Sequence, residues 1–218
     1  VEGVAWVRVL YGYPGSVTGE LLETMAELPS VVPYLDLPIQ HTEGPVLKAM
    51  VRGGQGGRLR ELLHRIREKV PGIALRTSIL VGHPGEREEH FRALCDFVAL
   101  FRFERLGAFA WSPEEGTAAA EMKERPAPEE AQRRREELMA LQREIVLARN
   151  AKLAGQELEA IIDGRERPGL FTGRTQADAP EVDCRVLVRS ERDLEPGSIL
   201  PLRVEGHEDY DLRGRSLR

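Results

Sequence analysis

Hydrophobic positions in the first half of the chain alternate between short apolar runs and helical spacings of three and four residues. The apolar runs predict four strands, each followed by a break and then by an amphipathic helix. The predicted strands are Val4–Tyr11, Tyr34–Ile39, Ile73–Val81 and Arg105–Trp111. The predicted helices are Thr18–Leu28, a segment containing Val46, Leu47 and Met50, then Leu59–Val70 and Glu88–Phe101, with Gly53–Gly57 as a loop.

This strand–helix alternation predicts parallel strands joined by right-handed crossovers. Four such units are too few to close an eight-stranded barrel, so we expect a partial barrel or an open sheet. In both cases functional loops lie beyond the carboxyl ends of the strands. The segments at those ends are Gln40-His41, Gly82–Glu86 and Ser112–Thr117.

The second half follows a different pattern. A polar linker, Glu121–Pro128, precedes a long helix, Glu129–Leu153, whose apolar stripe is Leu138, Leu141 and Ile145. Five short strands follow and predict a small barrel of the OB-like kind. They are Gln156–Asp163, Gly169–Arg174, Val182–Arg189, Ile199–Glu205 and Tyr210–Arg215. We therefore divide the chain into an α/β core over 1–127, a linker helix over 128–154 and a β-barrel over 155–218.

Composition places the chain among ordinary globular proteins. Of its 218 residues, 41% are hydrophobic and 31% are charged. No apolar run approaches the roughly 20 residues that a membrane helix needs. The opening residues carry neither a signal-peptide pattern nor an initiator Met, so we expect the chain to come from a longer polypeptide. Two distant cysteines, Cys95 and Cys184, fit a reduced protein of the cytoplasm and match no metal motif.

Charge favours a protein partner over nucleic acid. The net charge is −5, which argues against a broad basic face for phosphates. The barrel segment alone has ten arginines and fourteen acidic residues, a net charge of −4. Its loop carboxylates Asp178, Glu181 and Asp183 are either a docking patch for a basic protein or an exposed turn.

Several segments resemble the radical-SAM methylthiotransferases, in collinear order over nearly the whole chain. Within that family the Gln40-His41 pair, Ser112–Glu115 and Ala177–Glu181 resemble the type that modifies a ribosomal protein. The segments that carry the family resemblance are Tyr34–His41, Val46–Met50 with Arg52-Gly53, Leu75–Glu86, Arg105–Thr117, Gly173–Asp183 and Asp209–Leu212.

The resemblance implies a fold and an activity. The fold is the C-terminal part of a radical-SAM partial barrel followed by a TRAM domain. The activity is methylthiolation of an aspartate β-carbon on a small-subunit ribosomal protein, with S-adenosylmethionine and two 4Fe-4S clusters as cofactors. One cluster is bound by C-x3-C-x2-C after the first core strand and the other by three more cysteines. This chain has neither set, so we expect it to be inactive alone. It also has His83 and Trp111 where the family usually has Phe and Tyr.

The resemblance also implies a cofactor surface. The third-strand turn would line the methionine and ribose side, and the end of the fourth strand would face the adenine. Each residue also has a structural alternative, such as a tight turn at Gly82–Gly85, an ion pair for Arg76 and a helix cap for Glu86. No catalytic residue and no metal ligand is assigned. The candidate cofactor residues are Gln40, His41, Arg76, Thr77, Gly82, Pro84, Gly85, Glu86, Trp111 and Ser112.

Three functional hypotheses follow. The first is the C-terminal portion of the ribosomal-protein enzyme. The second is a binding module that docks a ribosomal protein through its TRAM domain. The third is a fragment of a tRNA-modifying relative. We also expect self-association, because an open four-stranded sheet exposes two edges.

Overall fold

The computed structural model describes residues 2–52 and 56–217. They form two compact units, Val1–Gln142 and Arg143–Arg218. The predicted loop Gly53–Gly57 lies outside the described residues at positions 53–55, and a helix begins at Gly56. Among the described residues, no helix combines the length and apolar character that crossing a membrane requires.

The first unit contains a parallel sheet in the order β1-β2-β3-β4, which confirms the predicted strand arrangement. Its strands are β1 (Val7–Val9), β2 (Val31–Asp36), β3 (Ala74–Val81) and β4 (Arg105–Ala110). Its helices are α1 (Gly19–Glu27), α2 (Gly44–Ala49), α3 (Gly56–Lys69), α4 (Glu88–Phe101) and α5 (Ala118–Glu121), with a 3-10 turn at Pro14–Ser16.

Alternation along β3 gives the sheet two unlike faces. Leu75, Thr77, Ile79 and Val81 are buried, whereas the intervening Arg76, Ser78 and Leu80 are half-buried. This is the period of two that a sheet covered on one side produces. The half-buried side chains therefore line the open face.

Two strands of the sheet differ from their predicted bounds by more than one residue. The first strand is shorter than predicted, because Tyr11 turns into the left-handed region with φ of 57°. The second begins three residues earlier than predicted, and its pairing continues past Asp36 through a bond from Leu37 N–H to Arg76 O (2.8 Å). Val7 on β1 and Phe109 on β4 are 43% and 56% exposed at the two edge strands. Self-association through these edges stays a prediction.

Helix α6 (Pro128–Leu153) begins within one residue of its predicted start. Glu129 and Glu130 lie in its first turn, where carboxylates favour the positive end of the helix. Its buried stripe is more polar than predicted, because Leu141 is only half-buried while Arg134 and Gln142 are buried. The Gln142 side chain donates from Nε2 to Phe103 O (2.9 Å), while its buried Oε1 has no hydrogen-bond partner among the described residues.

The second unit contains a closed barrel in the order β5-β6-β7-β9-β8, as the OB-like prediction requires. Its core includes Ile162, Phe171, Val188 and Leu202. The third predicted strand begins four residues late, because the preceding residues form a loop held by its own carboxylates. The strands are β5 (Glu157–Arg167), β6 (Leu170–Thr175), β7 (Val186–Arg189), β8 (Ile199–Glu208) and β9 (Asp211–Ser216).

Candidate functional site

Gln40 follows β2 at the carboxyl edge of the sheet. Its backbone is in the left-handed region, with φ of 65°. The chain is held there by bonds from Gln40 N–H to Ser78 O (2.9 Å) and from Leu80 N–H to Gln40 O (2.8 Å). The side-chain amide of Gln40 is half-buried. A non-glycine residue in this conformation costs roughly 1–2 kcal/mol, and backbone strain of this kind is common at functional sites.

His41 is fully buried beside Gln40. Its Nδ1 accepts a hydrogen bond from Glu43 N–H (3.0 Å), so the proton of the neutral ring lies on Nε2. Burial lowers the pKa of His41 to about 3, and the nearby His90, His83 and Arg134 lower it further. The ring is therefore neutral under ordinary conditions.

We expect the first unit to lose stability in acid because of His41. Its pKa is about 3 in the folded chain and 6.5 in the unfolded chain. As pH falls below 6.5 only the unfolded chain takes up the proton, so stability is lost from pH 6.5 toward pH 3, by up to about 1.4 kcal/mol per unit. Urea unfolding at pH 7 and pH 5 should show a loss of about 2 kcal/mol. His41→Gln should reduce this loss, and the same substitution at the exposed His64 should not; equal losses in all three proteins would refute the expectation.

The turn Gly82–Glu86 connects β3 to α4. Gly82 has φ of +77°, and a Cβ added there would lie 2.3 Å from Ala131 Cβ on α6. Gly85 has φ of +87° and would meet no atom within 4 Å, while its N–H donates to Glu124 O (2.9 Å). Packing against α6 therefore explains the glycine at 82, and only the glycine at 85 borders open space. Pro84, between them, is buried.

Glu86 ends this turn with a fully buried side chain. Its Oε2 accepts from Gly82 N–H (2.7 Å) and its Oε1 accepts from Arg134 Nη1 (2.8 Å). Burial raises the pKa of Glu86, while the Arg134 guanidinium opposes that shift by stabilising the carboxylate. Both oxygens are thus engaged within the protein. The N-cap of α4 is Arg87, so Glu86 does not cap the helix, and its contact with a cofactor stays a prediction.

Trp111 and Ser112 follow β4 at the same edge. Trp111 N–H donates to Val81 O (2.8 Å), which extends the pairing with β3. Its indole lies edge-on to the His83 ring, with centroids 6.1 Å apart. His83 and Trp111 are therefore neighbours at this edge. His83 is buried and donates from Nδ1 to Pro84 O (2.8 Å), and burial lowers its pKa. Ser112 is exposed.

Arg76 and Thr77 are not brought to this edge. Arg76 lies early in β3 and pairs with Asp36 (Nη1 to Oδ1, 2.9 Å). Thr77 is buried on the covered face, where its hydroxyl donates to Leu37 O (2.9 Å) and accepts from Ile39 N–H (3.3 Å). That these two side chains join the cofactor surface stays a prediction, and their pairing with Asp36 and Leu37 does not favour it. The residues that the structure does bring together are Gln40, His41, Gly82, Pro84, Gly85, Glu86, Trp111 and Ser112.

The three loop carboxylates of the barrel have unequal surroundings. Asp178 is 2% exposed and accepts from the Thr175 hydroxyl (2.6 Å). Asp183 is half-buried and accepts from Ala179 N–H (2.8 Å). Glu181 is exposed, with φ of 67°. Docking through this loop remains a prediction, and the geometry favours Glu181 as the contact residue with the two aspartates shaping the loop.

Comparison with known proteins covers both units. Residues 154–217 match the TRAM domain family. The chain is 42% identical to the ribosomal protein uS12 methylthiotransferase RimO of Desulforamulus reducens over 216 residues, 98% of this chain and 49% of the relative. It is 45% identical to the RimO of Aquifex aeolicus, over 99% of this chain and 50% of that protein. The chain belongs to the RimO family. It spans about half the length of the curated RimO relatives that it matches.

A solved structure agrees with this fold. Coproporphyrinogen III oxidase (HemN) of Escherichia coli, a radical SAM enzyme, aligns with a TM-score of 0.53 at 18% identity, over 64% of this chain and 32% of HemN. At that identity the likeness concerns the fold alone. It supports the assignment of the RimO sheet to a radical-SAM partial barrel.

The iron–sulfur clusters that the sequence resemblance implies do not fit the thiols of this chain. Each cluster needs several neighbouring cysteine thiolates. Cys95 lies on α4 in the first unit and Cys184 lies in the second unit. Burial, followed by the charge of Glu137, raises the pKa of Cys95 to about 11, which disfavours its thiolate. The described residues contain no group of three or more His, Cys, Asp or Glu side chains arranged to hold a metal.

Proposed function

We propose that this chain is the C-terminal portion of an enzyme that methylthiolates an aspartate β-carbon of ribosomal protein uS12, and that it is inactive alone. The observation that carries the proposal is identity of 40–45% to RimO proteins over almost the entire chain, through both units. The proposed inactivity of the chain alone is supported by its cysteine content, because two cysteines on different units cannot replace the cluster ligands. The reduced cysteines and a ribosomal substrate favour the cytoplasm.

The chain's own residues supply one side of a cofactor surface. In the proposed enzyme, S-adenosylmethionine provides the methyl group and the means of hydrogen abstraction when it is bound. Gln40 offers a half-buried amide, and Gly85 borders open space at the same edge of the sheet. Trp111 offers a partly exposed indole face for a flat heteroaromatic group. These three residues would bind and orient the cofactor, while the buried side chains of His41 and Glu86 behind them exclude water from the site.

Co-expression tests this proposal. The chain would be produced together with the N-terminal half of the Desulforamulus reducens relative, and uS12 would be analysed by peptide mass spectrometry. We expect one methylthio group on an aspartate only when both halves are present, and Gln40→Ala should reduce its yield about tenfold or more. Product from this chain alone, or product on tRNA instead of uS12, would overturn the assignment.

The barrel's role in docking requires a separate test. Because Glu181 is the exposed carboxylate of its loop, Glu181→Lys should weaken capture of the basic uS12 by about tenfold at low salt. Glu191→Lys makes the same charge change at another exposed site and serves as the matched control. Equal effects of the two substitutions would show that net charge, rather than the loop, governs binding.

A further inference from the structure

Glu86 is the meeting point of three segments that are distant in sequence. Its carboxylate closes its own turn by accepting from Gly82 N–H, and it accepts from Arg134 on α6. The third segment is the end of β2, where His41 Nε2 lies 3.8 Å from Glu86 Oε2. His41, Glu86 and Arg134 are all buried, so their interactions are weakly screened by solvent.

The turn is held firmly from the side of α6. Ala131 packs against Gly82, Arg134 bonds to Glu86, and Glu124 O accepts from Gly85 N–H just before the helix begins. Arg134 is fixed in turn by Glu130 on its own helix (2.8 Å) and by Glu88 on α4 (3.4 Å). These contacts leave the turn little freedom toward the helix.

On the side of β2, the contact between His41 and Glu86 is incomplete. The Nδ1 of His41 is occupied by Glu43 N–H, so Nε2 carries the proton, and it has no hydrogen-bond partner among the described residues. A buried donor without an acceptor is destabilising, because it has lost its hydrogen bond to water and gained none within the protein. Its closest carboxylate oxygen is Glu86 Oε2, and a shift of about 1 Å would complete the bond.

We propose that His41 and Arg134 are positioning residues that act through Glu86 to set the Gly82–Gly85 turn. Arg134 fixes the turn on the helix side, and the His41 N–H closes on Glu86 when the turn is drawn toward Gln40. The inference rests on the proposed function in one respect, namely that a cofactor on this turn draws it inward. The charged and titratable groups around the cluster are His83, His90, Glu88 and Glu130.

The helix side is tested by amide hydrogen exchange of Gly82 in the full chain, measured by NMR. We expect Arg134→Met to speed exchange of this amide by at least about tenfold, because it leaves the buried carboxylate unpaired. Arg134→Lys keeps the charge and should restore most of the protection. Arg133→Met removes the exposed neighbouring arginine and should leave the Gly82 amide unchanged. Equal protection in all four proteins would overturn the role of Arg134.

The β2 side is tested by the imidazole 15N signals of His41. We expect a neutral ring protonated on Nε2, and a change in that signal in Glu86→Gln. A ring protonated on Nδ1, or a signal indifferent to Glu86→Gln, would overturn the role of His41. Added S-adenosylmethionine should shift the Nε2 proton downfield as the bond to Glu86 forms. The signals of Gln40, Gly85 and His41 could all remain unchanged on addition of the compound while the variants behave as expected. That result would refute the proposed cofactor surface and leave the positioning role of His41 and Arg134 supported.

Discussion

Gly82→Ala should lower the free energy of unfolding of the first unit by about 3 kcal/mol or more. Two costs combine at this position. The left-handed φ of +77° disfavours any side chain, and the new Cβ would lie 2.3 Å from Ala131 Cβ. Because α6 is tied to the same turn by Arg134 and Glu86, the helix cannot withdraw without breaking a buried ion pair.

Gly85→Ala is the matched control for this substitution. Its φ of +87° carries a similar conformational cost, but its Cβ would meet no atom within 4 Å. We therefore expect a loss of only about 1–2 kcal/mol. Both tryptophans, Trp6 and Trp111, lie in the first unit, so urea unfolding followed by tryptophan fluorescence reports on that unit. Similar losses for the two variants would show that the contact with Ala131 costs little.

Gly173→Ala should destabilise the barrel by about 3 kcal/mol or more, without affecting the tryptophan signal. Gly173 lies opposite Ile162 in the β5–β6 pairing. Its added Cβ would lie 2.4 Å from the backbone oxygen of Ile161. Since that oxygen belongs to a paired strand, relief requires the strands to separate and a closed barrel to open.

Gly164→Ala provides the comparison within the same strand pair. Its nearest contact would be Thr172 Oγ1 at 3.9 Å, an ordinary van der Waals distance. We expect a change within about 0.5–1 kcal/mol. Hydrogen exchange of β5–β9 peptides, measured by mass spectrometry, should show much faster exchange throughout the barrel only in the position-173 variant. Faster exchange confined to β5 and β6 would contradict cooperative opening.

The arrangement of strands was accessible from the sequence because it depends on local periodicity. Apolar runs such as Ile73–Val81 and turns such as Glu195–Ser198 specify where strands begin and end. The parallel order then follows from the crossovers, and barrel closure follows from five short strands. The edge strand β1 was overestimated because its single neighbour leaves its ends to the backbone conformation of residues such as Tyr11.

Side-chain contacts between distant segments were not accessible in the same way. Arg134 and its exposed neighbour Arg133 are the same type of residue, and only the fold places Arg134 against Glu86, 48 residues away. Thr77 differs from Arg76 by one position, which in a strand means the opposite face. The sequence suggests that Asp178 belongs to an acidic surface, whereas in the structure its carboxylate is buried and accepts a hydrogen bond from Thr175. In each case orientation, rather than residue type, decided the role.

Helix α6 has a practical consequence for dissecting the protein. Its last turns belong to the second unit: Arg143 pairs with Asp209 (2.8 Å), Asn150 donates to Tyr210 O (3.0 Å), and Leu153 packs on the barrel core. A truncation placed at the start of the first barrel strand would strip these contacts and expose apolar surface. A barrel fragment that folds independently should therefore begin near Arg143, where the second compact unit begins.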